Sequence, residues 1–230
     1  MVQFETVLQG FSINTSEGGT AYCAVTLIRG QKLTLVDVGH LGRRALLMER
    51  LAARGIRPEQ IERVILTHAH WDHCHNLLDF PNAEVVLHQD EREYVLTPHP
   101  QDWATPAWTA DILARCKQVT TVRDGDELEP EIRVMATPGH SPGSMTVLLR
   151  TDQGIAGIVG DALPSRASTA VMAPRLVFFD EEAGRRSART IVETCRLIYP
   201  GHDRPFRAEN GTFTYIQPQS VVFQFVPRDE

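Results

Sequence analysis

Residues 67 to 76 read THAHWDHCHN, and within them His68, His70, Asp72 and His73 stand at the spacing H-x-H-x-D-H, directly after the apolar run Val64-Ile65-Leu66. A β-strand sends successive side chains to opposite faces. For these four to meet at one point, the strand must end and the chain must turn. Imidazole and carboxylate together are the ligand chemistry of zinc and related borderline ions. The run therefore predicts a strand end that opens into a metal-binding turn, and any fold this chain adopts has to be built around that turn.

Three other segments repeat one syntax, an apolar run, a Gly turn and then a ligand-type residue: ATPGH ends at His140, IVGD at Asp161 and YPGH at His202. Glycine beside each candidate lets the backbone turn sharply at a strand end. With the first motif they make seven candidate ligands, His68, His70, Asp72, His73, His140, Asp161 and His202. That number exceeds one tetrahedral zinc and suits two ions sharing a carboxylate.

The chain alternates strand-like and helix-like stretches, which argues for an α/β fold. Strands are expected over 21–28 and 32–38, joined by the turn Arg29-Gly30-Gln31. A helix is expected over 43–54, with Leu47 and Leu51 one turn apart and Gly55 as its stop. Pro58 opens a short turn before the strand at 64–66, and a strand at 83–88 precedes the acidic helix start Gln89-Asp90-Glu91. Asp124-Gly125 is a hairpin turn signal, strands are expected over 132–136, 145–149 and 155–159, and Asp152-Gln153-Gly154 marks a turn between the last two. Asp180 is a candidate cap for a helix whose apolar face is Ala188, Ile191, Val192 and Cys195, followed by a short strand at 197–199. Strands followed by a helix thus occur twice. Residues 97–109 (TPHPQDWATPAWT) interrupt the pattern with three prolines and two tryptophans, a loop that either tucks its aromatics onto the core or covers a pocket.

The remaining bulk properties prune function classes. Nothing in 230 residues reads as a linker, so one domain over 1–230 is expected. The net charge of −6, with scattered Lys and Arg, disfavours nucleic acid as a partner and leaves a small-molecule substrate. The N-terminus MVQFETVLQG has neither the basic nor the apolar region of a signal peptide, and no apolar run is long enough to span a membrane, so a cytoplasmic location is expected. Four dispersed cysteines, Cys23, Cys74, Cys116 and Cys195, read as reduced and mostly buried, with Cys74 a minor ligand candidate because it follows His73. His40 and His75 are candidates to line the site, whereas His88 and His99 are expected to face solvent. Phe178 and Phe179 suit either a substrate wall or packing, including that of a homodimer.

The order HAHWDH, PGHSPGS, GDA and PGHD resembles the metallo-beta-lactamase superfamily across essentially the whole chain. The resemblance implies a four-layer αββα sandwich with the metals at one edge between two sheets. It implies that His68, His70 and His140 hold a first metal, that Asp72, His73 and His202 hold a second, and that Asp161 bridges them. Asp37, in LVDVG, matches the family's aspartate behind the site, where a carboxylate would orient a ligand histidine. The expected cofactor is two zinc ions per chain, with iron or manganese as substitutes. The expected reaction is hydrolysis of a small ester, lactone or thioester by a metal-bridging hydroxide, with Asp72 as the catalytic residue that orients the nucleophile and passes its proton on. More narrowly, LVDVGHLGRRALLMERLAARGI, HNLLDFPNAEVV and PGHDRPFR resemble a subgroup with an RNA-cleaving animal member. A phosphodiesterase or ribonuclease is thus the alternative, and a non-catalytic metal-dependent sensor the third reading.

Overall fold

Hydrophobic residues of alternating parity along the strands divide into three buried clusters, and these define the layers. In the strand β4 (Val25–Arg29), Val25 and Leu27 join one cluster while Ile28 joins the next. In β7 (Glu84–His88), Val85 and Leu87 separate from Val86 in the same way. This period of two is what a strand buried on both faces requires. The structure, a computed structural model, describes residues 2–223.

The first sheet has the order β1-β4-β5-β6-β7-β8. It uses β1 (Gln3–Leu8), β4, β5 (Leu33–Val36), β6 (Arg63–Ile65), β7 and β8 (Gln118–Val122). β1, β4 and β5 pair antiparallel, and β5 through β8 pair parallel. Parallel neighbours need crossovers, which here carry α1 (Arg44–Ala52), α2 (Trp71–Cys74), α3 (Gln89–Tyr94) and α4 (Trp108–Arg115). Leu47, Leu51 and Leu113 from these helices pack on Leu27, Leu35 and Val64 of the sheet.

The second sheet has the order β15-β14-β13-β12-β11-β10-β9. Its strands are β9 (Glu127–Glu129), β10 (Ile132–Ala136), β11 (Met145–Thr151), β12 (Gly154–Gly160), β13 (Leu197–Pro200), β14 (Phe206–Glu209) and β15 (Thr212–Tyr215). Only β12 and β13 are parallel, joined through α5 (Glu181–Thr194). Asp180 caps α5 by accepting from Ala183 N at 2.9 Å, and Ala188 and Ile191 bury its inner face against Ile198 and Phe206. Between the sheets, Ile28, Val36, Ile65 and Val86 meet Ile132, Val134, Val147 and Ile158. Each fully buried aliphatic side chain contributes roughly 1.5–3 kcal/mol. The layers are helix, sheet, sheet, helix, the αββα sandwich.

Three local expectations are corrected. The segment 21–28 is not one strand. β2 (Phe11–Thr15) and β3 (Gly18–Tyr22) form a separate hairpin, and the chain breaks at Cys23-Ala24 because Ala24 N donates 2.7 Å to Gly201 O instead of to a strand neighbour. Asp124-Gly125 does turn the chain, but it joins β8 of the first sheet to β9 of the second rather than closing a hairpin. Gly125 N donates to Val134 O and Asp124 Oδ1 accepts from Ala136 N, so the turn is pinned to the second sheet. The loop over 97–109 ends early, since Trp108 and Thr109 already belong to α4.

Candidate metal centre

Four strand ends deliver the predicted side chains to one edge of the sandwich. β6 runs into Thr67-His68 and then α2, β10 into the turn before His140, β12 into Asp161, and β13 into Gly201-His202. Gly160 adopts φ +50, and a Cβ there would run into the Thr67 side chain. The backbone just before Asp161 therefore accommodates glycine alone without strain.

His68, His70 and His140 form one group of ligand atoms, and Asp72, His73 and His202 another, each within 4.8 Å. His140 Nε2 lies 2.9 Å from His70 Nδ1. In the second group, Asp72 Oδ2 lies 3.5 Å from His202 Nε2 and 3.8 Å from His73 Nε2. Asp161 stands between them. Its Oδ2 is 3.1 Å from His202 Nε2 and 3.6 Å from His140 Nε2, and its Oδ1 is 3.5 Å from His73 Nε2. All seven sequence-predicted ligands are thus brought together.

The donor set fits metal ions. His68 Nε2, His73 Nε2, Asp72 Oδ2 and Asp161 Oδ1 are buried and have no hydrogen-bond partner among the described residues. A buried polar atom left unpaired costs about 1–3 kcal/mol, and these atoms converge on shared points, as ligands do.

The opposite ring nitrogens of His68, His70, His73 and His140 are held by the fold, which sets their tautomers, while His202 Nδ1 is buried without a partner among the described residues. His73 Nδ1 donates to Asp37 Oδ2 at 2.8 Å, and His140 Nδ1 donates to Leu176 O at 2.6 Å. His70 Nε2 donates to Asp102 Oδ2 at 3.3 Å. Thr67 Oγ1 donates to Asp37 Oδ2 and can accept from His68 Nδ1 at 3.1 Å. In each case the nitrogen facing the cluster keeps its lone pair, as a metal ligand requires. Asp37 reaches this position from an unusual φ of 56 just past β5, a left-handed conformation that Asp tolerates better than most residues.

Electrostatics agree with those assignments for His68 and His140, whereas the carboxylates around the second group favour a protonated His73 while no ion is bound. Burial, reinforced by the neighbouring histidines, holds His68 well below the ordinary imidazole pKa and His140 down to about 4, so both are neutral. Burial opposes ionisation of Asp161, yet His202 and His73 hold its carboxyl well below the usual range. Burial likewise disfavours charge on His73, but Cys23, Asp72, Asp37 and Asp161 outweigh it and raise its pKa well above normal.

Other candidates separate. Cys74 belongs to none of the ligand groups among the described residues; its thiol donates to Ala69 O at 3.5 Å and packs in the core. His40 and His75 lie against the flanking Trp71, at ring separations of 4.7 and 6.4 Å. His99 is exposed, but His88 is buried at 8% exposure, because its Nδ1 accepts from Asp90 N to cap α3. Phe178 packs edge-on to His70 at 5.3 Å and to Trp103 at 6.1 Å, forming an aromatic rim on which Trp103 is 64% exposed. A groove of about 740 Å³ lies elsewhere, between Val7, Leu46 and Val222, and contains no ligand residue.

Two buried carboxylates were missed by sequence reasoning. Glu91 reads as an acidic residue in a helix first turn, yet it is fully buried and accepts from Ala69 N (2.8 Å), Ser141 Oγ (2.7 Å) and Gly143 N (3.0 Å). It ties the His68–His70 turn to the His140 turn. Asp102 reads as one polar residue in a Pro/Trp-rich loop; only its position beside aromatics hinted that it was more than surface.

Residues 18–202 match the family described as the metallo-beta-lactamase superfamily. A similar protein is metallo-beta-lactamase domain-containing protein 1 of Xenopus laevis, 30% identical over 206 residues, covering 87% of this chain and 79% of that one. The N-acyl homoserine lactonase of Bacillus cereus is 24% identical over 155 residues, 65% of this chain and 58% of that protein. Among solved structures, AidC, a dizinc quorum-quenching lactonase, superposes with a TM-score of 0.72 at 17% identity, covering 96% of this chain and 95% of that one.

Proposed function

This chain belongs to the metallo-beta-lactamase superfamily and is a metal-dependent hydrolase, and from that premise we propose that it uses two zinc ions to hydrolyse a small ester, lactone or thioester. One observation carries the two-ion reading. A single carboxylate, Asp161, lies within 3.6 Å of His140 from one ligand group and within 3.1 Å of His202 from the other. His68, His70 and His140 would hold the first ion, and Asp72, His73 and His202 the second. When bound, such a pair supplies Lewis acidity and lowers the pKa of an adjacent water to about 7.

The chain's own residues do the rest. Neutral His68 and His140 offer lone pairs without competing protons. Asp72, a carboxylate of the second ligand group, would lie beside the attacking water, orient it and hand its proton to the leaving alkoxide or thiolate. Phe178 and Trp103 form an apolar wall beside the first group, which suits an acyl chain and excludes water. The lactonases among the similar proteins support the same substrate class.

The phosphodiester alternative rests on the resemblance to the subgroup with an RNA-cleaving member, and the cations nearest in sequence to Asp161 and His202 are Arg166 and Arg204. Their guanidinium groups lie 4.5 and 3.7 Å from the Tyr215 ring and also reach the carbonyls of Phe213 and Gln217. Cations engaged in this way are poor phosphate clamps, so the acyl reading is preferred. Elemental analysis should find close to two zinc ions per chain. A panel of lactones, thioesters, bis-p-nitrophenyl phosphate and single-stranded RNA should show turnover of the acyl compounds; preferential cleavage of the phosphodiesters, or a single iron, would overturn the proposal.

A further inference from the structure

Asp102 sits in the loop between α3 and α4, far in sequence from every ligand, yet it is 5% exposed and saturated with donors. Its Oδ1 accepts from Ala104 N at 2.9 Å and Thr105 N at 3.1 Å, and its Oδ2 from Tyr94 OH at 2.9 Å and His70 Nε2 at 3.3 Å. The loop is fastened to the ligand turn a second time, since Trp71 N donates to Ala104 O at 2.9 Å.

We infer that Asp102 is a positioning residue for the first metal subsite, fixing His70 as the Nε2–H tautomer so that its Nδ1 lone pair faces His140 and the ion. The inference rests on the two-ion reading above. Its logic is donor arithmetic. Three neutral donors already hold the carboxylate, and an ionised carboxylate has acceptors only. The ring nitrogen facing it must therefore carry the proton. In a free imidazole either nitrogen can carry it, and the Nδ1–H form would place a hydrogen where the ion binds. Such a carboxylate behind a ligand histidine also holds the ring plane. Because Trp103 is the next residue, the same side chain anchors the rim of the site to the ligand turn.

Asp102→Asn is the informative variant. Its amide oxygen can still accept from Ala104 and Thr105, while its NH2 group faces His70. That replaces an acceptor by a donor and drives the ring to the Nδ1–H form. The test combines 15N imidazole NMR of the metal-free protein with zinc titration against a chelating indicator. The wild type should show His70 protonated at Nε2, the nitrogen facing Asp102; Asp102→Asn should show Nε2 without its proton and lose roughly 10–100-fold in affinity for one of two ions. Tyr94→Phe, which removes one donor and leaves the carboxylate, should weaken the same ion by a smaller factor and carries the test if Asp102→Asn fails to fold. An unchanged tautomer with unchanged affinity overturns the inference. So does an equal loss at both ions with a lower melting temperature of the metal-free protein, which would make Asp102 a folding residue only. A wild type that binds a single ion refutes the two-ion reading instead, and the tautomer spectrum, which needs no metal, still reads Asp102 separately.

Discussion

The Ser141 hydroxyl donates to the Glu91 carboxylate across 2.7 Å, with both residues at 0% exposure. This bond links helix α3 of the first sheet's layer to the His140 turn of the second sheet. Gly143 makes the approach possible, because a Cβ there would run into the Glu91 backbone and side chain.

Removing that carboxylate strands two buried backbone donors, on Ala69 and Gly143, and leaves the Ser141 hydroxyl only Ser144 Oγ at 2.8 Å. Glu91→Ala should lower the stability of the metal-free protein by roughly 2–5 kcal/mol, read by urea denaturation. A loss below about 1 kcal/mol would show that water replaces the side chain at little cost.

Asp72 is assigned the proton transfer. Asp72→Asn keeps the shape and an oxygen ligand but removes the base, so kcat should fall by roughly 10²–10⁴-fold on the best acyl substrate. Zinc content has to be measured in the same sample, since full activity with full metal would end this assignment.

A pH dependence follows from Glu84. Burial alone would raise its pKa, but hydrogen bonds from Lys32 and Thr120 and the charges of Lys32 and Arg63 hold it below the normal value of 4.5. A depressed carboxyl contributes stability above its unfolded pKa and loses it as pH falls through the folded one. The stability difference between wild type and Glu84→Gln should therefore be largest near pH 7 and shrink below about pH 4.5. A difference that stays constant down to pH 3 would contradict the ion-pair account.

Trp103 is the exposed face of the aromatic rim. Trp103→Ala should raise KM for acyl substrates by roughly five- to thirtyfold, about 1–2 kcal/mol of apolar contact, with the effect growing with chain length. Equal changes for acetyl and long acyl compounds would remove the rim from substrate binding.

Much of this was legible in the chain itself. H-x-H-x-D-H and the three Gly-turn segments carry their chemistry locally: residue type names the ligand, and glycine beside it reports the turn. The capped helix α5 and the strand β10 were readable for the same reason, since caps and period-two alternation act over a few residues. Asp124-Gly125 shows the limit. The pair announces a reversal, but only packing decides that the chain leaves one sheet for the other. His88 shows it again, because its ring caps a helix start that a sequence marks only by the acidic residues following it.

By itself, then, the sequence determined the ligand types, their spacing and the turns that present them, all properties of contiguous residues and their φ/ψ preferences. The tertiary structure alone decided which strand ends meet at Asp161, and which nitrogen of His70, His73 and His140 keeps its lone pair. Those choices depend on Asp102, Asp37 and the Leu176 carbonyl, partners up to 36 residues away in sequence. A carboxylate buried against an imidazole and one pointing into water are the same letter; only the packing of sheets and loops around it supplies the difference in desolvation and in available donors.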